Sequence, residues 1–91
     1  MNLEITLRHL EHTENIDEKI REKVERVSRK LTPTANLHWT SWVEHNEHYS
    51  TLLAHDSGKE YFAKASADNL YKTNDLVIQK LEAQIAHHNH G

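Results

Sequence analysis

Four basic residues in the first third of the chain recur at helical spacing. Lys19, Lys23, Arg26 and Lys30 are separated by four, three and four positions. An α-helix brings residues three and four positions apart onto one side, so this segment predicts a stripe of positive charge. Ammonium and guanidinium groups in a row have the chemistry to bind a polyanion. The formal net charge of the whole chain is −3, so the spacing indicates such a partner and the charge total does not.

Ordinary ion pairing along the helix is the alternative interpretation of this segment. Three acid–base pairs in it are at contact spacing: Glu18–Arg21, Glu22–Arg26 and Glu25–Arg29. Each such pair contributes only about 0.2–0.5 kcal/mol to helix stability.

A second basic stripe is predicted near the end of the chain. Lys72, Lys80 and His87 fall on one side of the last helical segment, together with Leu76 and Ala83. If the two helices lie side by side, the two stripes are expected to flank one groove that suits phosphate.

Apolar spacing predicts the elements that position these charges. Leu3, Ile5 and Leu7 alternate with polar residues as a strand, and Ile16, Ile20, Val24, Val27 and Leu31 then recur at helical spacing. Pro33 ends this helix at Thr32. Strands are expected over 36–44, 49–55 and 60–67, and a helix from about residue 69. The order β-α-β-β-β-α predicts an α+β fold in a single domain spanning 1–91. In this fold a four-stranded sheet carries both helices on one face.

The segments between these elements have the composition of caps and turns. Thr13 or Asn15 is expected to cap the first helix and Asp68 the second. The ranges 44–48 and 56–59 are expected to be turns. Trp39 and Trp42 lie on opposite faces of a strand, so Trp39 is expected in the core and Trp42 on the open face with Phe62. An aromatic group there suits base stacking or a protein partner, or is a lone exposed side chain.

The remaining composition excludes several function classes. The chain has no cysteine, no Gly-rich phosphate loop and no nucleophile motif, so we expect no catalytic apparatus, no cofactor and no small-molecule substrate. His45 and His48 form one histidine group, and His87, His88 and His90 form another, but neither has the spacing of a zinc site. Without a signal or membrane-spanning segment, a cytoplasmic location is expected and no membrane partner.

The chain resembles the ribosome hibernation factors, the family of hibernation promoting factor and the ribosome-associated inhibitor protein Y. The similarity is carried by the Leu3–Thr6 strand, the Gly58 hairpin, the alanine-rich 63–67 strand and the motif 69–85 with Tyr71, Asp75 and Lys80-Leu81. By its length the chain is similar to the short members.

This resemblance implies a fold like that of double-stranded-RNA-binding domains. It also implies binding to the small ribosomal subunit and its rRNA, in the decoding channel at the A and P sites, with inhibition of translation in stress or stationary phase. Short members cooperate with a ribosome modulation factor, which is thus an indirect partner. Tyr71 is interpreted as a packing residue. Basic residues on both helices and nearby strands are expected to bind rRNA: Lys19, Lys23, Arg26, Arg29, Lys30, Lys64, Lys72, Lys80 and His87.

The end of the second helix departs from the family pattern. An arginine expected near Ala83 is missing, and the lysines expected around His87 and Asn89 are replaced. Protonating all nine histidines would change the formal net charge from −3 to +6. The alternative hypothesis is therefore a diverged relative that does not bind ribosomes and acts as a protein-interaction or pH-responsive, histidine-rich module.

Overall fold

The computed structural model describes the chain over residues 1–90, with side chains described over 1–87. Its elements are β1 (Asn2–Arg8), α1 (Glu14–Ser28), β2 (Asn36–Glu44), β3 (Glu47–Asp56), β4 (Lys59–Ala67) and α2 (Leu70–His90). The strands form one sheet in the order β1-β2-β3-β4. β1 is parallel to β2, and the other neighbours are antiparallel. The predicted α+β class and the β-α-β-β-β-α order are confirmed.

α1 begins where predicted and ends earlier. The Thr13 hydroxyl accepts a hydrogen bond from the Ile16 N–H at 3.1 Å, which satisfies one free donor of the first turn. The helix ends at Ser28, although Pro33 predicted an end at Thr32. Thr32 does not join the helix, and its N–H and hydroxyl both donate to the carboxylate of Asp56. The end of α1 is therefore tied to the start of the β3–β4 turn.

Two tight hairpins connect the antiparallel strands. His45 and Asn46 have φ of 52° and 63°, and Ser57 and Gly58 have φ of 53° and 79°. Two successive positive φ values match the turn that suits the twist of paired strands. The turn predicted at 56–59 is confirmed. The first turn is shorter than predicted, because β3 begins at Glu47 and not at residue 49.

The core lies between the helices and one face of the sheet. Trp39 is fully buried at its centre, as predicted, and Leu52 lies on the neighbouring strand, also fully buried. α1 contributes Ile20, Val24 and Val27, and α2 contributes Val77, Ile78, Leu81 and Ile85. Burying one such side chain contributes about 1.5–3 kcal/mol. The other sheet face has no helix against it in the described part of the chain.

A chain of buried hydrogen bonds crosses the core from β2 to α2. The indole N–H of Trp39 donates to Ser41 at 2.8 Å. The Ser41 and Ser50 hydroxyl oxygens are 2.7 Å apart, and those of Ser50 and Thr73 are 2.9 Å apart. The Thr73 hydroxyl donates to the Leu70 carbonyl at 2.6 Å. Each polar group in this series of hydrogen bonds thus has a partner, which offsets the cost of its desolvation.

Asn69, and not Asp68, caps α2. The Asn69 side-chain oxygen accepts from the Lys72 N–H at 3.0 Å. Asp68 instead forms an ion pair with Lys72 at 3.0 Å. This pair, through the Lys72 hydrogen bond first, holds the pKa of Asp68 below its ordinary value.

Side chains of α2 cover part of the β4 edge. The Phe62 N–H donates to the side-chain oxygen of Gln84 at 3.0 Å, and the Gln84 amide donates to the Phe62 carbonyl. Lys80 donates to the Lys64 carbonyl at 2.9 Å. Backbone groups at a sheet edge are a template for another strand, so these contacts protect the edge.

Candidate nucleic-acid interface

The basic stripe of α1 lies on the side of the helix that faces α2. Its neighbours Ile20 and Val24 are fully buried, which fixes the rotation of α1. Lys23 reaches Asp75 of α2, with 2.6 Å between Nζ and Oδ1. The predicted stripe therefore exists, and acidic residues of α2 stand beside it.

Arg26 and Lys30 share a single carboxylate, that of Glu82. The Arg26 guanidinium donates to it at 2.6 Å, and Lys30 Nζ is 2.9 Å from it. The hydrogen bond from Arg26, and then that from Lys30, holds the pKa of Glu82 below its ordinary value, while burial acts in the opposite direction. The same hydrogen bond raises the pKa of Arg26. The Glu82 carboxylate and the Arg26 guanidinium are therefore both charged near neutral pH.

The two cations that share Glu82 remain about half exposed. The Arg26 side chain is 57% exposed and that of Lys30 47%, whereas Glu82 is only 12% exposed. The carboxylate is covered and its two cations face solvent. An incoming phosphate group would meet the cations first.

Ion pairing along α1 differs in part from the alternative interpretation of the sequence. Glu25 and Arg29 are paired, at 3.8 Å. Arg21 pairs with Asp17 at 2.5 Å and not with Glu18. Hydrogen bonds from His12 and then Arg21 lower the pKa of Asp17. Arg26 pairs with α2 rather than within its own helix, so local pairing explains only part of the charged surface.

A small groove separates the first halves of the two helices. It has a volume of about 230 Å³ and is lined by Lys19, Glu22, Lys23, Tyr71, Asn74 and Asp75. Tyr71 is 50% exposed, so its interpretation as a packing residue is wrong. Asn74 is buried, and its side-chain oxygen has no hydrogen-bond partner among the described residues. Lys19 makes no ion pair with any described residue, so its charge is available at the edge of the groove.

The second basic stripe does not face this groove. Lys80 lies on the β4 side of α2, where it donates to the Lys64 carbonyl. Glu82 lies on the other side, against α1. Because residues 80 and 82 are about 200° apart around a helix, the expectation that both stripes flank one groove is wrong. Lys72 and His87 are exposed on α2, and neither forms a hydrogen bond or ion pair with α1 among the described residues.

Lys64 lies on the open face of the sheet. Its neighbours Ala63 and Ala65 are buried under α2, so the alternation of β4 turns the Lys64 side chain the other way. Its Nζ is 5.6 Å from the ring centroids of Trp42 and of Tyr49. The candidate residues thus occupy three regions: the α1 side, the outer flank of α2 and the open sheet face.

Trp42 lies on the open face, as predicted, and stacks on Tyr49. The two ring centroids are 5.2 Å apart and the planes differ by 10°. Tyr49 was not among the candidate residues, although its register opposite Trp42 follows once β3 starts at Glu47. The signal in the sequence was the alternation of Tyr49 with the inward Ser50 and Leu52.

The histidines do not assemble a metal centre among the residues with described side chains. No group of three or more His, Asp or Glu side chains lies close enough together there. His45 occupies the first hairpin, and the side chains of His88 and His90 lie outside the described residues. His12 contacts Asp17 at 2.8 Å, which is a pairwise contact.

The sequence from residue 3 to residue 90 matches the protein family described as sigma 54 modulation protein / S30EA ribosomal protein. The chain belongs to this family. The match covers nearly the whole chain and confirms the resemblance seen in the sequence. No curated protein matches the chain.

Two solved structures share the fold of this family member. A ribosomal subunit interface protein from Coxiella burnetii is 22% identical over 100% of both chains, with a TM-score of 0.86. The N-terminal domain of Protein Y from Thermus thermophilus is 20% identical, with a TM-score of 0.85, over 93% of this chain and 96% of that one. At these identities the likeness establishes the fold. Among the described residues, no helix is both long and apolar enough to cross a membrane.

Proposed function

We propose that this chain is a ribosome-associated translation inhibitor that binds the rRNA of the small subunit in the decoding channel. Family membership supports the ribosomal partner, since the family description names a ribosomal protein. The observation that carries the proposed mode of binding is the exposed row of Lys23, Arg26 and Lys30 beside α2. The proposed partner lies in the cytoplasm, in stressed or stationary-phase cells.

The separation of the candidate residues into three regions suits a channel. The domain measures 38 × 23 × 18 Å, so a channel wall can contact it from several sides. In this proposal the α1 side, with Lys19 and Arg29 at its ends, contributes most of the phosphate contacts. Lys72, Lys80 and His87 contact a second wall from the outer flank of α2, and Lys64 faces a third direction. Occupying the channel would exclude tRNA and mRNA without any catalytic step.

The test compares two double variants with the same change of charge. Lys23→Gln with Arg26→Gln removes two cations from the proposed surface, and glutamine avoids the repulsion that glutamate would create beside Asp75. Arg21→Gln with Lys59→Gln removes two cations elsewhere. Co-sedimentation with small subunits across a salt series measures affinity.

We expect the surface variant to bind about tenfold or more weakly than the control variant, with a shallower salt dependence, because each lost phosphate contact removes counterion release. Equal binding by the two variants would contradict the proposed surface. Competition with tRNA at the A and P sites tests the location separately.

A pH-responsive, histidine-rich interaction module is the second candidate function. It is favoured by the neutralisation of Lys23, Arg26 and Lys30 by α2 carboxylates and by exposed histidines such as His9 and His55. Sedimentation with small subunits at pH 6 and pH 7.5 separates the candidates. Binding at both pH values supports the inhibitor, binding only in acid supports a histidine switch, and binding at neither supports a module without ribosome affinity.

A further inference from the structure

The open face of the sheet carries an aromatic cluster on its central strands. Trp42 and Tyr49 are opposite each other on β2 and β3, and their rings stack. Phe62 on β4 belongs to the same face and is 49% exposed. Phe62 is opposite Leu53, so its ring lies in a separate row from the Trp42–Tyr49 stack. Aromatic groups gathered on one solvent-facing surface can form a binding site.

A hollow of about 510 Å³ lies beside this cluster. Its lining includes Arg8, Thr40, Trp42, Glu44, Thr51 and Phe62. This volume is within the range of sites for small molecules and cofactors, and it suits a nucleotide. The hollow belongs to the face opposite the helices, so it is separate from the α1 surface.

The side chains around the hollow have the chemistry of nucleobase recognition. The aromatic faces of Trp42 and Phe62 can stack with a base, since every base has a π-face. Arg8 and Lys64 supply positive charge for the adjoining phosphates, and the Lys64 ammonium already lies beside the Trp42 ring. The Glu44 carboxylate can accept a hydrogen bond from an exocyclic amino group. A purely apolar partner would leave Arg8 and Glu44 desolvated and unpaired, which is unfavourable.

We propose that the open sheet face binds unpaired bases of single-stranded RNA. Bases stack on Trp42 and Phe62, Arg8 and Lys64 contact the phosphates, and Glu44 favours bases with an exocyclic amino group. This site does not depend on the α1 surface. The chain would then hold RNA on two opposite faces, structured rRNA on the helical side and a single strand on the sheet.

Tryptophan fluorescence provides a direct test with the intact chain. Trp39 is buried and hydrogen-bonded to Ser41, so a bound base would quench mainly the fluorescence of Trp42. The probes are single-stranded oligocytidylate, oligoadenylate and oligouridylate of about nine nucleotides, with an RNA duplex of the same length as the comparison. We expect saturable quenching by the single strands, tighter for oligocytidylate and oligoadenylate, and weaker binding of the duplex.

Variants locate the site and keep the test independent of folding. Phe62→Ala should weaken binding of oligocytidylate by about tenfold, because stacking on one ring is lost. Leu76→Ala on α2, which also removes an exposed apolar side chain, should leave it unchanged. Arg8→Gln should reduce the salt dependence of oligonucleotide binding. Glu44→Gln should bring the affinities for oligocytidylate and oligoadenylate closer to that for oligouridylate. Trp42→Leu is read from an end-labelled oligonucleotide, with its melting curve as the folding check.

If none of the three single strands quenches the fluorescence at low salt, the proposal is overturned. A protein would then be the favoured partner of the open sheet face. Equal loss in Phe62→Ala and Leu76→Ala would also overturn it. Lys23→Gln with Arg26→Gln should still bind the oligonucleotides like the unchanged protein. A failure at the sheet face is thus distinguishable from a failure of ribosome binding.

Discussion

Arg26 on α1 donates two hydrogen bonds to Glu82 on α2, from Nη2 to Oε1 at 2.6 Å and from Nε to Oε2 at 3.3 Å. This paired geometry is the one in which a guanidinium also binds phosphate. Lys30 contacts the same carboxylate. Glu82 therefore binds the two cations in the geometry that a phosphate group would use, and under the proposed function it would compete with RNA for them.

Replacing Glu82 by glutamine tests this competition. Glu82→Gln keeps the shape of the side chain and removes its charge, so Arg26 and Lys30 become available to phosphate. We expect tighter binding to small subunits, by about three- to tenfold at low salt, and a steeper salt dependence. The free energy of unfolding should fall by no more than about 1 kcal/mol, as for other partly exposed ion pairs. Sedimentation and urea unfolding measure the two effects.

Glu18→Gln is the matched control for that variant. It makes the same change of charge on an exposed position of α1 and removes no ion pair with the described residues. If both variants bind more tightly to the same extent, the effect is one of net charge. The proposed role of Glu82 would then be wrong.

Acid should weaken the contact between Thr32 and Asp56. The hydroxyl of Thr32, followed by its N–H, holds the pKa of Asp56 below its ordinary value. The stabilisation is therefore complete above about pH 4, the range of an unpaired aspartate, and is lost as pH falls through the lowered pKa. Thr32→Val should be less stable than the unchanged protein at pH 7. The difference in free energy of unfolding should shrink in acid. Thr51→Val serves as the control, and a difference that is independent of pH would contradict this account.

Loss of the Gln84 contacts should expose the edge of β4. Gln84→Leu removes both hydrogen bonds to Phe62. The backbone N–H and carbonyl of Phe62 are then free to pair with another chain. We expect self-association at high protein concentration, seen in sedimentation velocity. Gln79→Leu makes the same substitution at an exposed position of α2. If Gln79→Leu associates equally, surface apolarity is the cause and not the open edge.

The middle of the buried hydroxyl chain should be sensitive to a small change. Ser50→Ala removes the group that joins Ser41 to Thr73 and leaves their hydroxyls with fewer partners. The expected loss is about 1–3 kcal/mol in the free energy of unfolding. Ser66→Ala, on the exposed side of β4, should change it by less than about 0.5 kcal/mol. Similar small losses in both variants would show that the buried chain contributes little.

The element order was predictable because burial imposes its own period on each segment. Val24 and Val27 recur at helical spacing since α1 has one side in the core, and Ala63 and Ala65 alternate since β4 has one face there. The end of α1 was not predictable in this way. Thr32 finds its partner in Asp56, 24 positions along the chain, and no local pattern records that contact.

The positions of the charges were only partly predictable. The spacing of Lys23 and Arg26 was sufficient to place them on one side of a helix. The apolar stripe of α2 likewise places Glu82 on one flank and Lys80 on the other, but it does not say which flank meets α1. That choice depends on where α2 lies on the sheet, over β3 and β4. Consequently the sequence suggested a positively charged groove, whereas the structure has cations beside carboxylates.

The hydroxyl chain from Trp39 to Thr73 also bears on how the strands find their alignment during folding. A shift of β3 by one residue would turn Thr51 and Leu53 inward in place of Ser50 and Leu52, and this exchange nearly preserves polarity. At these two positions apolar burial alone therefore discriminates poorly between the two alignments. In the observed alignment the small Ser50 side chain reaches both Ser41 and Thr73, whereas Thr51 in its place would add a methyl group at this closely packed point. The size of the buried hydroxyl residue thus favours one strand alignment, which the leucine exchange does not.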